Sequence, residues 1–146
     1  MATVKQKITE SEIRRTFADP SIIDISLSRF YSMKLEENKK ILDKVASKEG
    51  FTKTEKEEIL NIIRFSARIQ ELEERIEYNK RSGEANAVED TKRCEKMIDA
   101  YLKECDKYYQ KNYHKYMKVE KEITKFRQNQ SSQTKEQPKK KSTTRR

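Results

Sequence analysis

Two glycines and two prolines are the only backbone punctuation in this chain of 146 residues. All-β and α/β folds turn often, and their turns draw on Gly, Pro and Asn for special backbone angles. A chain this poor in them is left with long helices, so the fold class is all-α. Position agrees with number. Gly50 and Gly83 divide the sequence into stretches of helical length, and Asp19-Pro20 is the single proline site before the C-terminal tail. Glycine just past a helix end and proline in its first turn are the expected places for both.

Composition makes the apolar pattern decisive. Charged residues make up 40% of the chain, the net charge is +9, and only 28 residues are Leu, Ile, Val or Phe. That balance borders on disorder. The few apolar residues nevertheless fall at helical spacings. Thr9 and Glu12 have capping-box form, with Ile13 and Phe17 behind them, and predict a short helix over about 10–18. A first long helix is expected over about 20–49, with Ile23, Leu27, Phe30, Ile41, Leu42 and Val45 near one face and Asn38 interrupting it. Gly50 would cap it in the left-handed region.

Thr52 and Glu55 offer the next capping box, with Thr54 and Glu57 as the alternative, and open a second helix over about 53–81. Its residues Ile62, Phe65, Ile69, Leu72 and Ile76 repeat at spacings of 3, 4, 3 and 4, a coiled-coil seam. The acidic run Glu71, Glu73, Glu74 and Glu77 reads as a solvated face. A third helix is expected over about 86–127. Its seam begins Thr91, Cys94, Ile98, Tyr101, Cys105, Tyr108, then slips to Tyr109, Tyr113, Tyr116, Ile123, Phe126. Such a slip is a stutter, which locally unwinds a coiled coil.

The expected architecture is an antiparallel three-helix coiled-coil-like bundle with a long third helix and a disordered basic C-terminal tail. The divisions are an N-terminal arm at 1–19, the helical domain at 20–127 and the tail at 128–146, which holds no hydrophobic residue. At 1.5 Å per residue the third helix overhangs its partners by roughly 18 Å. Cys94 and Cys105 stand about 16 Å apart on one helix, beyond the reach of a disulfide, and read as reduced thiols.

Charge is distributed unevenly. Residues 107–146 hold 13 bases and 3 acids, a net of +10, which leaves −1 for the rest. Lys111, Lys115, Lys118, Lys121, Lys125 and Arg127 lie on the end of the third helix; Lys139, Lys140, Lys141, Arg145 and Arg146 lie in the tail. Together they are the candidate polyanion-binding residues, because lysines hold phosphates as point charges without reading sequence. Tyr109, Tyr113 and Tyr116 are interleaved with them as candidate stacking residues. A plainer alternative makes Tyr101 and Tyr108 part of the core seam and the lysines the wet side of a helix. Pro138-Lys139-Lys140-Lys141 also has the form of a short basic import signal.

Catalytic and metal chemistry lack their residues. Nothing resembles a glycine-rich phosphate loop, His114 is the only histidine, and Cys94, Cys105 and His114 are spaced too far apart to converge on zinc. No catalytic residue, cofactor or metal is expected. The chain reads as a non-enzymatic helical protein that docks on nucleic acid or a ribonucleoprotein through its basic end. The alternative is a structural coiled-coil subunit of a protein assembly whose seams, Ile62–Ile76 and Ile98–Tyr116, pack on other chains or on a second copy, with the basic end contacting an acidic protein surface. With no signal peptide or transmembrane segment in view, an intracellular location, nuclear or cytoplasmic, is expected.

Overall fold

A computed structural model describes residues 10–139, with side chains described over 13–130. All regular structure among the described residues is helical. Helix α1 (Glu10–Ala18) is followed by a 3-10 turn (Pro20–Ile22), the one-turn α2 (Ile23–Ser26), then α3 (Arg29–Glu49), α4 (Lys53–Ser82), α5 (Ala87–Lys111) and α6 (Tyr113–Lys139). The Thr9 cap lies outside the described residues.

The expected punctuation is where the helices stop. Gly50 and Gly83 cap α3 and α4 with φ of 73° and 69°, angles that favour glycine. Thr52 and Glu55 form the capping box of α4: Thr52 Oγ1 accepts the Glu55 amide at 3.1 Å, and Glu55 accepts the Thr52 amide at 2.9 Å. Two donors that α4 could not satisfy internally are thereby bonded.

The core is built around α4. Tyr31 donates to Glu74 and Lys56 pairs with Asp43, which sets α3 antiparallel to α4. Arg75 pairs with Asp90, Phe65 meets Tyr101 and Glu58 accepts from Asn112, which sets α5 antiparallel to α4 along its length. Ile62, Phe65, Ile69 and Leu72 are buried and Ile76 is half-buried, with Cys94, Met97 and Tyr101 buried on α5 and Ile98 half-buried. The seam is therefore covered within the chain and is not a free docking face. Helix α1 adds an aromatic cluster, with the Phe17 ring 6.3 Å from Phe65 and 5.8 Å from Tyr101. Each such ring contact contributes about 0.5–1.5 kcal/mol beyond area burial. Cys94 and Cys105 are both free, and burial pushes the Cys105 thiol up to about 11.

Three expectations fail locally. The first long helix is broken at Leu27 and Ser28, whose backbones are extended. Ser26 bonds the Ile23 carbonyl, and the Ser28 amide finds its acceptor on α4, at Glu71 Oε2, 2.8 Å away. The break shifts the register: Tyr31 turns inward at 6% exposure and Phe30 outward at 59%. Glu71 and Glu74 are consequently tertiary acceptors, not parts of a wholly solvated face.

The third helix is neither continuous nor overhanging at residue 112. Asn112 is buried, and its side-chain amide donates to the Tyr108 carbonyl at 2.9 Å and to Glu58 at 3.1 Å. A side chain that competes for a helical carbonyl interrupts the helix. Beyond the break, α6 runs back antiparallel to α3, with Lys118 against Glu49 and Arg127 against Glu37. Val119 is fully buried and Ile123 packs on the core. Four long helices, not three, make the body.

The third difference is in the tail. Helix continues from residue 128 through Lys139, so the expected disorder does not begin at 128. The rest of that expectation lies outside the described residues.

Candidate polyanion-binding groove

The fold-back redistributes the basic end. Lys111 pairs with Glu58 at 3.2 Å, Lys115 with Glu55 at 3.2 Å, Lys118 with Glu49 at 2.8 Å and Arg127 with Glu37 at 2.5 Å. Each pair joins the basic end to an acid of the body. The carboxyl groups register it. Glu49 lies below the usual carboxylate range because Lys118 bonds and faces it. Glu55 is lowered by the Thr52 amide and then by Lys115, and Glu58 by Asn112 and then, against burial, by Lys111. Arg127 also donates to the Asn38 side chain at 2.8 Å and to the Lys34 carbonyl at 3.3 Å. Asn38, the polar interruption of the α3 face, is thus the acceptor that receives α6.

The tyrosines pack mainly with one another. The Tyr109 ring lies 5.3 Å from Tyr113 and 5.6 Å from Tyr116, both edge-on. Tyr116 donates to Glu120 at 3.0 Å, and burial with that nearby carboxylate raises its hydroxyl pKa far above the ordinary value. Tyr109 and Tyr116 line a cleft of about 610 Å³ between α6 and the α3–α4 face, together with Tyr31, Glu120 and Arg127. Tyr113 remains exposed beside His114.

On the other side of α6 the molecule assembles a basic site. A groove of about 540 Å³ runs between α3 and α6. Lys44 and Lys48 of α3 stand on one wall; Lys118, Lys121 and Lys125 of α6 stand on the other. Spacing of four on α3, and of three and four on α6, keeps each set on one helical face. Ile41, Val45 and Phe126 supply apolar surface between them. Two acids, Glu49 and Glu122, also line the groove; they pair with Lys118 and with Lys125, the latter at 3.6 Å. Lys44, Lys48 and Lys121 have no ion-pair partner among the described residues, so the groove carries an excess of three positive charges.

Lys118, Lys121 and Lys125 are thus brought together, whereas Lys111, Lys115 and Arg127 are placed elsewhere along α6 and its junction. Lys139 is the last residue of α6, and Lys140, Lys141, Arg145 and Arg146 lie outside the described residues. Sequence reasoning missed Lys44 and Lys48, because they sit in the part of the chain whose net charge is near zero. Their spacing of four was the one available signal.

Among the described residues no group of three or more His, Cys, Asp or Glu side chains is placed to hold a metal ion, and no helix is long and apolar enough to cross a membrane. No protein-family model matches the chain, and no curated protein or solved structure is significantly similar to it.

Proposed function

We propose that this chain is a non-enzymatic helical binding protein that docks on nucleic acid or a ribonucleoprotein, and that the groove between α3 and α6 is its principal phosphate-binding surface. The observation that supports the reading is the convergence of five lysines from two helices against two glutamates. Lysine side chains on stiff helices hold phosphates in register without base contacts, so recognition is sequence-tolerant. The basic residues of the C-terminal segment, Lys139, Lys140, Lys141, Arg145 and Arg146, add to the chain's positive charge.

The test is equilibrium binding of the intact chain to labelled RNA and DNA across a salt series. Each neutralised phosphate contributes about −0.7 to −0.9 to the log–log slope. The three unpaired lysines predict a slope of about −2 to −3, and the K44A/K48A/K121A triple variant should flatten it. Absence of measurable binding at low salt rejects the reading.

A second reading, a structural subunit of a protein assembly, is favoured by a separate feature. Ile25 is 87% exposed at the α2–α3 corner, and Met33 lines the same shallow surface. Partner proteins that co-purify with the intact chain, without bound nucleic acid, distinguish this reading from the first.

A further inference from the structure

We infer that the α3–α6 groove selects single-stranded over double-stranded nucleic acid. The inference rests on the polyanion-binding reading and adds the ligand's strandedness. Three features of the groove carry it.

The first is width. Axes of packed helices lie about 8–10 Å apart. Helices with their side chains are about 10–12 Å across, so a pair packed this closely leaves a furrow along its shared surface, a track for one extended strand and too narrow to seat a duplex, whose major groove alone is about 12 Å wide. A duplex therefore rests on the rim and reaches only the lysine ends. The second is the arrangement of charge. Lysines stand on both walls, Lys44 and Lys48 opposite Lys118, Lys121 and Lys125, so phosphates of a strand lying between them are met from two sides.

The third is the apolar surface. Phe126, half-buried, lines the groove with Ile41 and Val45. A single strand offers open base faces to an aromatic ring; in a duplex those faces are already stacked. The Arg127 guanidinium lies 5.3 Å from the Phe126 ring centroid, yet Arg127 lines the opposite cleft and is not a wall of this groove. An acidic amphipathic helix is the competing occupant. It needs a stripe of anchor sites spanning two or more turns. One ring flanked by two aliphatic side chains, one of them mostly buried, is a short stripe for that purpose.

Glu49 adds a signed prediction. Its carboxylate lines the groove and pairs with Lys118 at 2.8 Å, so it both repels an entering phosphate and occupies a lysine. Removing its charge should raise affinity.

The experiment measures anisotropy of a labelled oligothymidine, and of a duplex of the same length, with the intact chain at low salt. The wild type is expected to bind the single strand at least about fivefold more tightly than the duplex. Phe126→Leu should lower single-strand affinity and so narrow that preference, Phe126→Tyr should retain it, and Glu49→Gln should raise single-strand affinity. Thermal melts confirm that each variant folds; if Phe126→Leu does not, the wild-type ratio and Glu49→Gln carry the decision. Equal affinity for the two strand states, or a preference insensitive to Phe126→Leu in a folded variant, overturns the inference and leaves polyanion binding standing. Binding of an acidic amphipathic peptide but neither oligonucleotide overturns both.

Discussion

Asn112 donates its side-chain amide to Glu58 across 54 residues of sequence, at 3.1 Å, and the same amide holds the Tyr108 carbonyl. One side chain thus both interrupts a helix and ties the interruption to α4. Asn112→Ala removes both bonds and leaves the half-buried Glu58 with Lys111 alone. The expected loss is about 1–3 kcal/mol, read from the urea midpoint. Hydrogen exchange should quicken in the first turns of α6 before it does in α4.

Attachment of α6 should depend more on Val119 than on any one of its ion pairs. Val119 is fully buried, whereas Lys115 is only half-buried and Lys118 is exposed. Val119→Ala should cost about 2 kcal/mol from lost burial and the cavity left behind. Lys118→Ala should change thermal stability little, as exposed pairs generally do. Val119→Asp is expected to release α6, with exchange protection lost there and retained in α4 and α5.

The buried pair between Arg64 and Asp24 should respond asymmetrically. Arg64 is nearly buried and meets Asp24 at 2.9 Å and Asn61 at 3.1 Å, while Asp24 also holds Lys39 at 2.8 Å. Asp24→Ala leaves the buried guanidinium only Asn61 and the exposed Glu57 carboxylate, 3.5 Å away, and is expected to cost about 3 kcal/mol. Arg64→Met leaves Asp24 its lysine and should cost less. Denaturant titration of the two variants side by side gives the comparison.

Acid should loosen α6. Burial raises the pKa of Asp24, but its bonds to Arg64 and Lys39 outweigh that and hold it low. Glu49, Glu55 and Glu58 are lowered as well. A depressed folded value stabilises above the unfolded value, near pH 4, and the contribution disappears as pH falls through the folded value. Stability should therefore hold from neutrality to about pH 4 and drop below it. Because the three glutamates face Lys118, Lys115 and Lys111, exchange protection in α6 should fail first.

At the alkaline end Tyr31 acts in the opposite sense. Burial and then the Glu74 carboxylate push its hydroxyl up to about 12. A raised folded value stabilises below the unfolded value, about 10, and is lost as pH climbs through the folded one. Tyrosinate absorbance should show two late-titrating hydroxyls, Tyr31 and Tyr116, and Tyr31→Phe should remove the earlier of the two.

The helical class was legible because its signals are local. Gly50, Gly83 and the Thr52–Glu55 box each act within a few residues, and the seam from Ile62 to Leu72 is a spacing along one helix. The two breaks were not legible, since neither carries glycine or proline. At Ser28 the acceptor is Glu71 and at Asn112 it is Glu58, both on α4 and far away in sequence. The seam slip between Tyr108 and Tyr109 did mark the second break, but spacing alone does not separate a change in supercoil from a bend. Half of the groove was visible for a related reason. Lys118, Lys121 and Lys125 stood out in a basic segment, whereas Lys44 and Lys48 gained meaning only when α6 came to lie beside them.

The hydroxyl of Tyr101 donates to Thr16 at 3.3 Å, so the first helix is completed by a residue 85 positions later. Ribosomes add about 5–20 residues per second, and that separation amounts to about 4–17 s of synthesis. Throughout that interval Phe17 lacks the Tyr101 ring that it meets in the finished fold. The first helix thus keeps part of its apolar face uncovered until α5 has been made.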